Sequence, residues 1–230
     1  MPYLFYDYSY IIFMLPVIIA SLIIQAKLKS TYSKFSKIQN ARGITGAQAA
    51  KMVLDYYGIT DVNIIHSSGN LTDCYDPTKK EIRLSDGVFD RISVAAVGIA
   101  CHEAGHAAQH AEKYVPIKIR NSILPVCNIG ATISIPLLIA GMFFSFEPLV
   151  WIGIGFFSFT VAFQLITLPV EFNASNRAIM VIESNGLLSF EEKLGAQKVL
   201  KAAALTYVAA LATSVAQLLR LVFLFGRRRR

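Results

Sequence analysis

Residues 93–110 read SVAAVGIACHEAGHAAQH. Ser93 carries the short oxygen-bearing side chain that caps a helix N-terminus, and Ala95, Val97 and Ile99 lead an apolar run with no proline before His110, so a helix is expected through His110. His102 and His106 are four positions apart, slightly more than one helical turn. Their imidazoles therefore share a face and can bind one zinc ion through nitrogen. Glu103 lies one position on, where it can reach the open side of such an ion without ligating it and take a proton from water there.

A catalytic zinc site uses three protein ligands and a water, so a third ligand must exist outside this segment. His110 is eight residues beyond His102, about 12 Å further along a continuous helix, too far to share the ion. The longer three-histidine pattern of the metzincins would need His at 112, where this chain has Glu112, and that subclass is excluded. Glu171 is the better candidate. It sits at the polar end of an apolar stretch, in residues 168–175, LPVEFNAS, and two membrane crossings separate it from His106, which returns it to the same face. Ser175, one turn later, is placed to hydrogen-bond a ligating group, and Ala174 would let two helices pack closely. The plainer reading of Glu171 is a membrane boundary beside Arg177. Tyr207, His66, Asn176 and Arg177 are available to steady an oxyanion, and each also reads as a packing, loop or headgroup residue. Cys101 reads as a small buried helix residue.

The surroundings of this helix are those of a membrane protein. Apolar types make up 54% of the 230 residues and only 16% are charged, with a mean hydropathy of +0.50, well above soluble norms. Charge is dense in 27–120 and 171–201 and almost absent from 123–168. Crossing the bilayer core takes about 20 apolar residues. Residues 10–26, 123–146 and 149–168 come close, the last two joined by the turn at Phe146, Glu147 and Pro148 into a helical hairpin. Residues 10–26 lack the basic start and cleavage site of a secretory signal and read as an anchor. A fourth apolar stretch, 202–225, carries Gln217 and Arg220 and precedes four arginines; as a full span it would put Arg227–Arg230 outside, against the rule that basic loops stay cytoplasmic. It is either a span that breaks the rule or an interfacial or re-entrant helix.

In the polar stretch, Thr45 is a suitable N-cap for a helix over 46–57, with Gly58 where helices end. Residues 70–75 and 81–85 flank a turn at Asp76, Pro77, Thr78 and Lys79, and Ile82 and Leu84 alternate with Glu81 and Arg83, a β-hairpin pattern. Residues 81–85 read equally as an exposed edge that aligns an extended peptide beside the metal or as an interior strand. The net charge of +7 suits cytoplasmic loops and lipid headgroups. No interleaving of basic and aromatic residues suggests a nucleic-acid surface. Three cysteines without a CxxC pair indicate neither a disulfide framework nor a cysteine zinc knot, and fit a reducing compartment.

HEAGHAAQH at 102–110, LPVEFNASNRA at 168–178 and VLKAAALTYVAALATSVAQLLRL at 199–221 together resemble the bacterial YugP-like neutral zinc metallopeptidases, over nearly the whole chain. More distantly the pattern is similar to the HtpX-type membrane gluzincins. That resemblance implies His102, His106 and Glu171 as zinc ligands and Glu103 as catalytic base, with Ser175 where the distant pattern has Asp. The expectation is a mainly α membrane protein with a zincin-like α+β catalytic unit, built on the HExxH helix and a small hairpin or sheet, and three to four transmembrane helices. Its parts are an anchor (1–26), a cytoplasm-facing zincin-like region (27–122), a transmembrane hairpin (123–168), a third-ligand region (169–201) and an apolar C-terminal helix with a basic tail (202–230). Such a protein is a multi-pass zinc endopeptidase of the inner (plasma) membrane, cutting peptides or membrane proteins near the cytoplasmic face. Two alternatives stand beside it. One is a site-2-type protease with its metal inside the bilayer, for which 92–101 is too short between charged flanks; the other is a non-catalytic zinc-containing scaffold or transport component, which would have no need of Glu103.

Overall fold

A computed structural model describes residues 8–69 and 72–226. It is mainly helical, with one small three-stranded sheet among the described residues. In chain order the elements are α1 (Tyr8–Phe35), α2 (Gly46–Tyr56), β1 (Asn63–Ser67), β2 (Cys74–Asp76), β3 (Glu81–Ser85), α3 (Val94–Ala111), α4 (Val115–Phe143), α5 (Glu147–Ser184) and α6 (Phe190–Gly226). The chain forms two compact units: Met1–Gln25, Ile119–Leu168 and Thr206–Arg230 make one, and Ala26–Lys118 with Pro169–Leu205 make the other.

The first unit is helical and apolar. α1, α4, α5 and α6, of 28, 29, 38 and 37 residues, are each long and apolar enough to cross a membrane. α1 exposes Ile11, Ile12, Leu15, Ile19, Leu22 and Ile23, a surface that water would disfavour and lipid would not. Inside the unit small residues let backbones approach, as membrane helices require in the absence of a hydrophobic drive between them. A methyl group on Gly141 would lie 2.8 Å from the Val150 backbone nitrogen, and one on Gly153 would lie 3.1 Å from the Ser134 carbonyl. Polar contacts join the helices too: Gln164 Nε2 donates to Ser214 Oγ at 3.0 Å, and the Ser21 and Thr213 hydroxyls are 3.4 Å apart.

The second unit has the conventional core of a water-exposed domain. Thr45 caps α2 through a full capping box, its hydroxyl accepting from the Gln48 N–H while Gln48 Oε1 accepts from the Thr45 N–H. α2 turns Ala49, Ala50, Val53 and Leu54 inward and packs on α3, which is capped by Ser93 as its sequence suggests. α3 buries Ala95, Ala96, Ala100, Ala104, Ala107 and Ala108, a run of small side chains that lets neighbours crowd it on several sides.

Residues 74–85 form the expected hairpin, Tyr75 opposite Ile82, although Asn70 and Leu71 at its expected start lie outside the described residues. The strand order is β1-β3-β2, with β1 parallel to β3 and His66 beside Leu84. Residues 81–85 are therefore the interior strand, and the reading of them as a free edge is corrected. A parallel partner from 63–67 covers the side that the hairpin leaves open, and Ile82 and Leu84 are fully buried. The strand on the outside of the sheet that packs against α3 is β2.

Candidate metal centre

α3 and α5 bring the ligand candidates together within the second unit. A methyl group on Gly105 would sit 2.7 Å from the Ala174 carbonyl oxygen, so the two helices meet at a distance that only Gly105 on α3 and a small partner on α5 allow. His102 and Glu171 each stand three residues before that contact on their helices, and His106 directly follows Gly105. Glu171 Oε2 lies 3.4 Å from His102 Nε2 and 3.6 Å from His106 Nε2, and one ligand atom from each of the three residues lies within 4.8 Å of the others. His106 and Glu171 are buried.

The outer ring nitrogens are occupied. His102 Nδ1 is 3.1 Å from Ser175 Oγ, and His106 Nδ1 is 3.0 Å from Gln109 Oε1. Both rings thus present Nε2 to the shared space and hold Nδ1 in a hydrogen bond, the arrangement that steers metal-binding histidines. Burial opposes a positive charge on His106, yet the Glu171 contact and the charge of Glu103 together raise its pKa above the ordinary imidazole value. The space between these side chains favours a cation, and two imidazoles with one carboxylate are a donor set of catalytic zinc sites. The residues fit the ion.

Glu103 is half-buried and stands outside the three-residue group. Its charge bears on His106 and on Cys74 of β2, whose thiol pKa is raised first by burial and next by Glu103. Cys101 is buried with its thiol 3.8 Å from the Ala49 carbonyl, and burial pushes its pKa far above the usual thiol range; it packs α3 on α2 and offers no thiolate.

The other candidates lie elsewhere. His110 is exposed, its Nδ1 3.3 Å from the Tyr75 hydroxyl, and is not in the metal group. His66 pairs with Asp86 at 2.7 Å, and the Asp86 carboxylate, which also accepts from the Gly69 N–H, is held below its usual pKa by these two contacts. Asn176 is exposed on α5. Tyr207, on α6, is 39% exposed and belongs to the other unit. Arg177 turns to Glu112 at 2.6 Å and to Asn173 at 2.8 Å. Sequence reasoning passed over Gln109 and Asn173. Gln109 is fully buried, and its amide nitrogen donates to the Val170 carbonyl at 2.8 Å and to Asn173 Oδ1 at 2.9 Å. The one signal for it was its place three residues after a candidate ligand on a helix.

Comparison with known proteins follows the same lines. The sequence model of a family described as "Putative neutral zinc metallopeptidase" matches residues 10–226. The chain is 46% identical over 201 residues to the "Putative membrane protease YugP" of Bacillus subtilis (strain 168), covering 87% of this chain and 89% of that protein. No solved structure matches the chain.

Proposed function

The chain belongs to this neutral zinc metallopeptidase family, its cofactor is Zn2+, and from that premise we propose that it is a membrane endopeptidase with His102, His106 and Glu171 as zinc ligands and Glu103 as general base. The observation that carries the reading is the convergence of those three ligand atoms within 4.8 Å, from helices whose sequence separation would not otherwise bring them together. When bound, zinc supplies Lewis acidity, lowering the pKa of water to about 7 and polarising the scissile carbonyl.

The chain's own residues do the rest. The Glu103 carboxylate takes a proton from the attacking water as its oxygen bonds to the carbonyl carbon, and delivers it to the amide nitrogen as the carbon–nitrogen bond breaks. His102 and His106 keep Nε2 turned inward because Ser175 and Gln109 hold Nδ1. The substrate runs extended beside β2, the outer strand that packs against α3, with backbone pairing to set its register. This zincin-like unit works at the cytoplasmic face of the inner membrane, on peptides or membrane proteins whose cut site reaches that face. α3 is not among the four helices apolar and long enough to cross a membrane, which favours a site at the surface over one within the bilayer.

The test is zinc content together with cleavage of an unstructured protein such as casein, on full-length protein in detergent. Glu171→Ala is expected to lose the bound zinc. Glu103→Gln is expected to keep zinc and fold while its rate falls roughly 10²- to 10⁴-fold. Full zinc in Glu171→Ala would remove that residue from the ligand set, and an active Glu103→Gln would remove the general base.

A further inference from the structure

Gln109 sits between an acceptor and a ring nitrogen, and only one orientation of its amide satisfies both. One end lies 2.8 Å from the Val170 carbonyl, which can only accept, so that end is the NH2 group. The other end, the oxygen, then faces His106 Nδ1 at 3.0 Å, and that nitrogen must carry the proton. Asn173 is constrained in the opposite sense. It meets the Gln109 NH2 at 2.9 Å and the Arg177 Nε–H at 2.8 Å, both donors, so it presents Oδ1 to both. Arg177 has no acceptor and stays protonated. It is itself held by Glu112 at 2.6 Å and by the faces of Tyr57 and Tyr114 at 5.6 and 6.0 Å.

We propose that Gln109, Asn173 and Arg177 form a positioning chain that fixes the tautomer and ring plane of His106, so that its Nε2 lone pair is the one presented to the metal. The inference rests on the reading of His106 as a ligand. Gln109 is fully buried, so an amide turned the wrong way would set oxygen against oxygen at Val170 with no water to relieve it. The donor polarity of Arg177 and the acceptor polarity of Val170 thus reach the metal site through two amides, and they also tie the end of α3 to α5.

The experiment uses full-length protein in detergent and reads two quantities: zinc affinity by chelator competition, and solvent exchange of the His106 Nδ1–H in zinc-loaded protein with 15N-labelled histidine. Gln109→Met and Asn173→Leu are each expected to weaken zinc binding roughly 10- to 100-fold and to speed exchange of that proton. Asn173→Asp, which can only accept, is expected to stay near wild type in both. A residue that merely fills space would behave in the opposite order, tolerating Leu and rejecting Asp. Wild-type affinity and exchange in Gln109→Met would overturn the proposal, as would an Asn173→Asp as weak as Asn173→Leu; if Gln109→Met does not fold, the Asn173 pair decides. Retention of zinc by His106→Ala would instead strike the ligand reading beneath it.

Discussion

At position 105 the difference between hydrogen and methyl decides whether the ligands can meet. The added carbon would lie 2.7 Å from the Ala174 carbonyl and 3.4 Å from its Cα, contacts with backbone that cannot rotate away. Gly105→Ala must therefore push α3 from α5 and widen the space between His102, His106 and Glu171. Overpacking of this kind costs about 1–3 kcal/mol; the variant is expected to show a lower midpoint of unfolding and a zinc affinity reduced more than tenfold, by roughly the 1.4 kcal/mol per decade that separates affinities. Wild-type zinc binding there would mean that the helix contact does not set the ligand geometry. At this scale the sequence is informative where chemistry repeats at helical spacing. His102, Glu103 and His106 are visible in five residues, and Glu171 becomes a candidate once 123–146 and 149–168 are read as two crossings. Gln109 is not visible, because an amide after two alanines carries no pattern of its own and its partners Val170 and Asn173 arrive from more than sixty positions away.

Secondary structure follows the same division between local and distant causes. Thr45 and Ser93 announce their helices because a cap is a contact over three residues, and both caps form. The hairpin at 74–85 is announced by its turn, where the Asp76 carboxylate accepts from the Thr78 and Lys79 N–H groups. The position of 81–85 inside the sheet is not announced. Alternating Ile82 and Leu84 suit an edge or an interior strand equally, and the choice is made by parallel pairing with 63–67. β2 has only three residues and needs an anchor besides its ladder. Asp73 supplies one: its carboxylate accepts from the Ser85 N–H at 2.7 Å and from the Ser85 hydroxyl at 3.0 Å, and Ser85 is fully buried. Asp73→Ala leaves that buried N–H without its acceptor, a cost of about 1–3 kcal/mol. Because Asp73 touches none of the ligands, zinc content is expected to be unchanged while stability falls and KM for an extended peptide rises. A KM equal to wild type would separate β2 from substrate alignment.

Over the whole molecule, charge and helix length make opposing demands at the C-terminal end, and the conflict can be resolved by experiment. Thirteen Lys and Arg lie in 27–120 and four in 169–205, whereas neither residues 1–9 nor the turn at 144–148 contains one. By the rule that basic loops stay inside, that bias predicts both polar stretches on the cytoplasmic side, with α4 and α5 expected to cross out and back. α6 runs unbroken from Phe190 to Gly226 and is apolar and long enough for a further crossing, which would carry Arg227–Arg230 outward. Four arginines after Gly226 in the sequence oppose seventeen basic residues in 27–120 and 169–205, and an apolar helix laid along the interface would expose Leu219, Val222 and Phe223 to headgroups rather than to hydrocarbon. Burial in the bilayer core outweighs the local charge rule here, so α6 is expected to cross. A periplasm-active reporter such as alkaline phosphatase, fused after Arg230, should then be active, and the same reporter inserted at Gly58 or fused after Gly186 should be silent, with a fluorescent cytoplasmic reporter giving the complementary result. Cytoplasmic signal after Arg230 would instead make α6 an interfacial helix and leave the protein with three crossings.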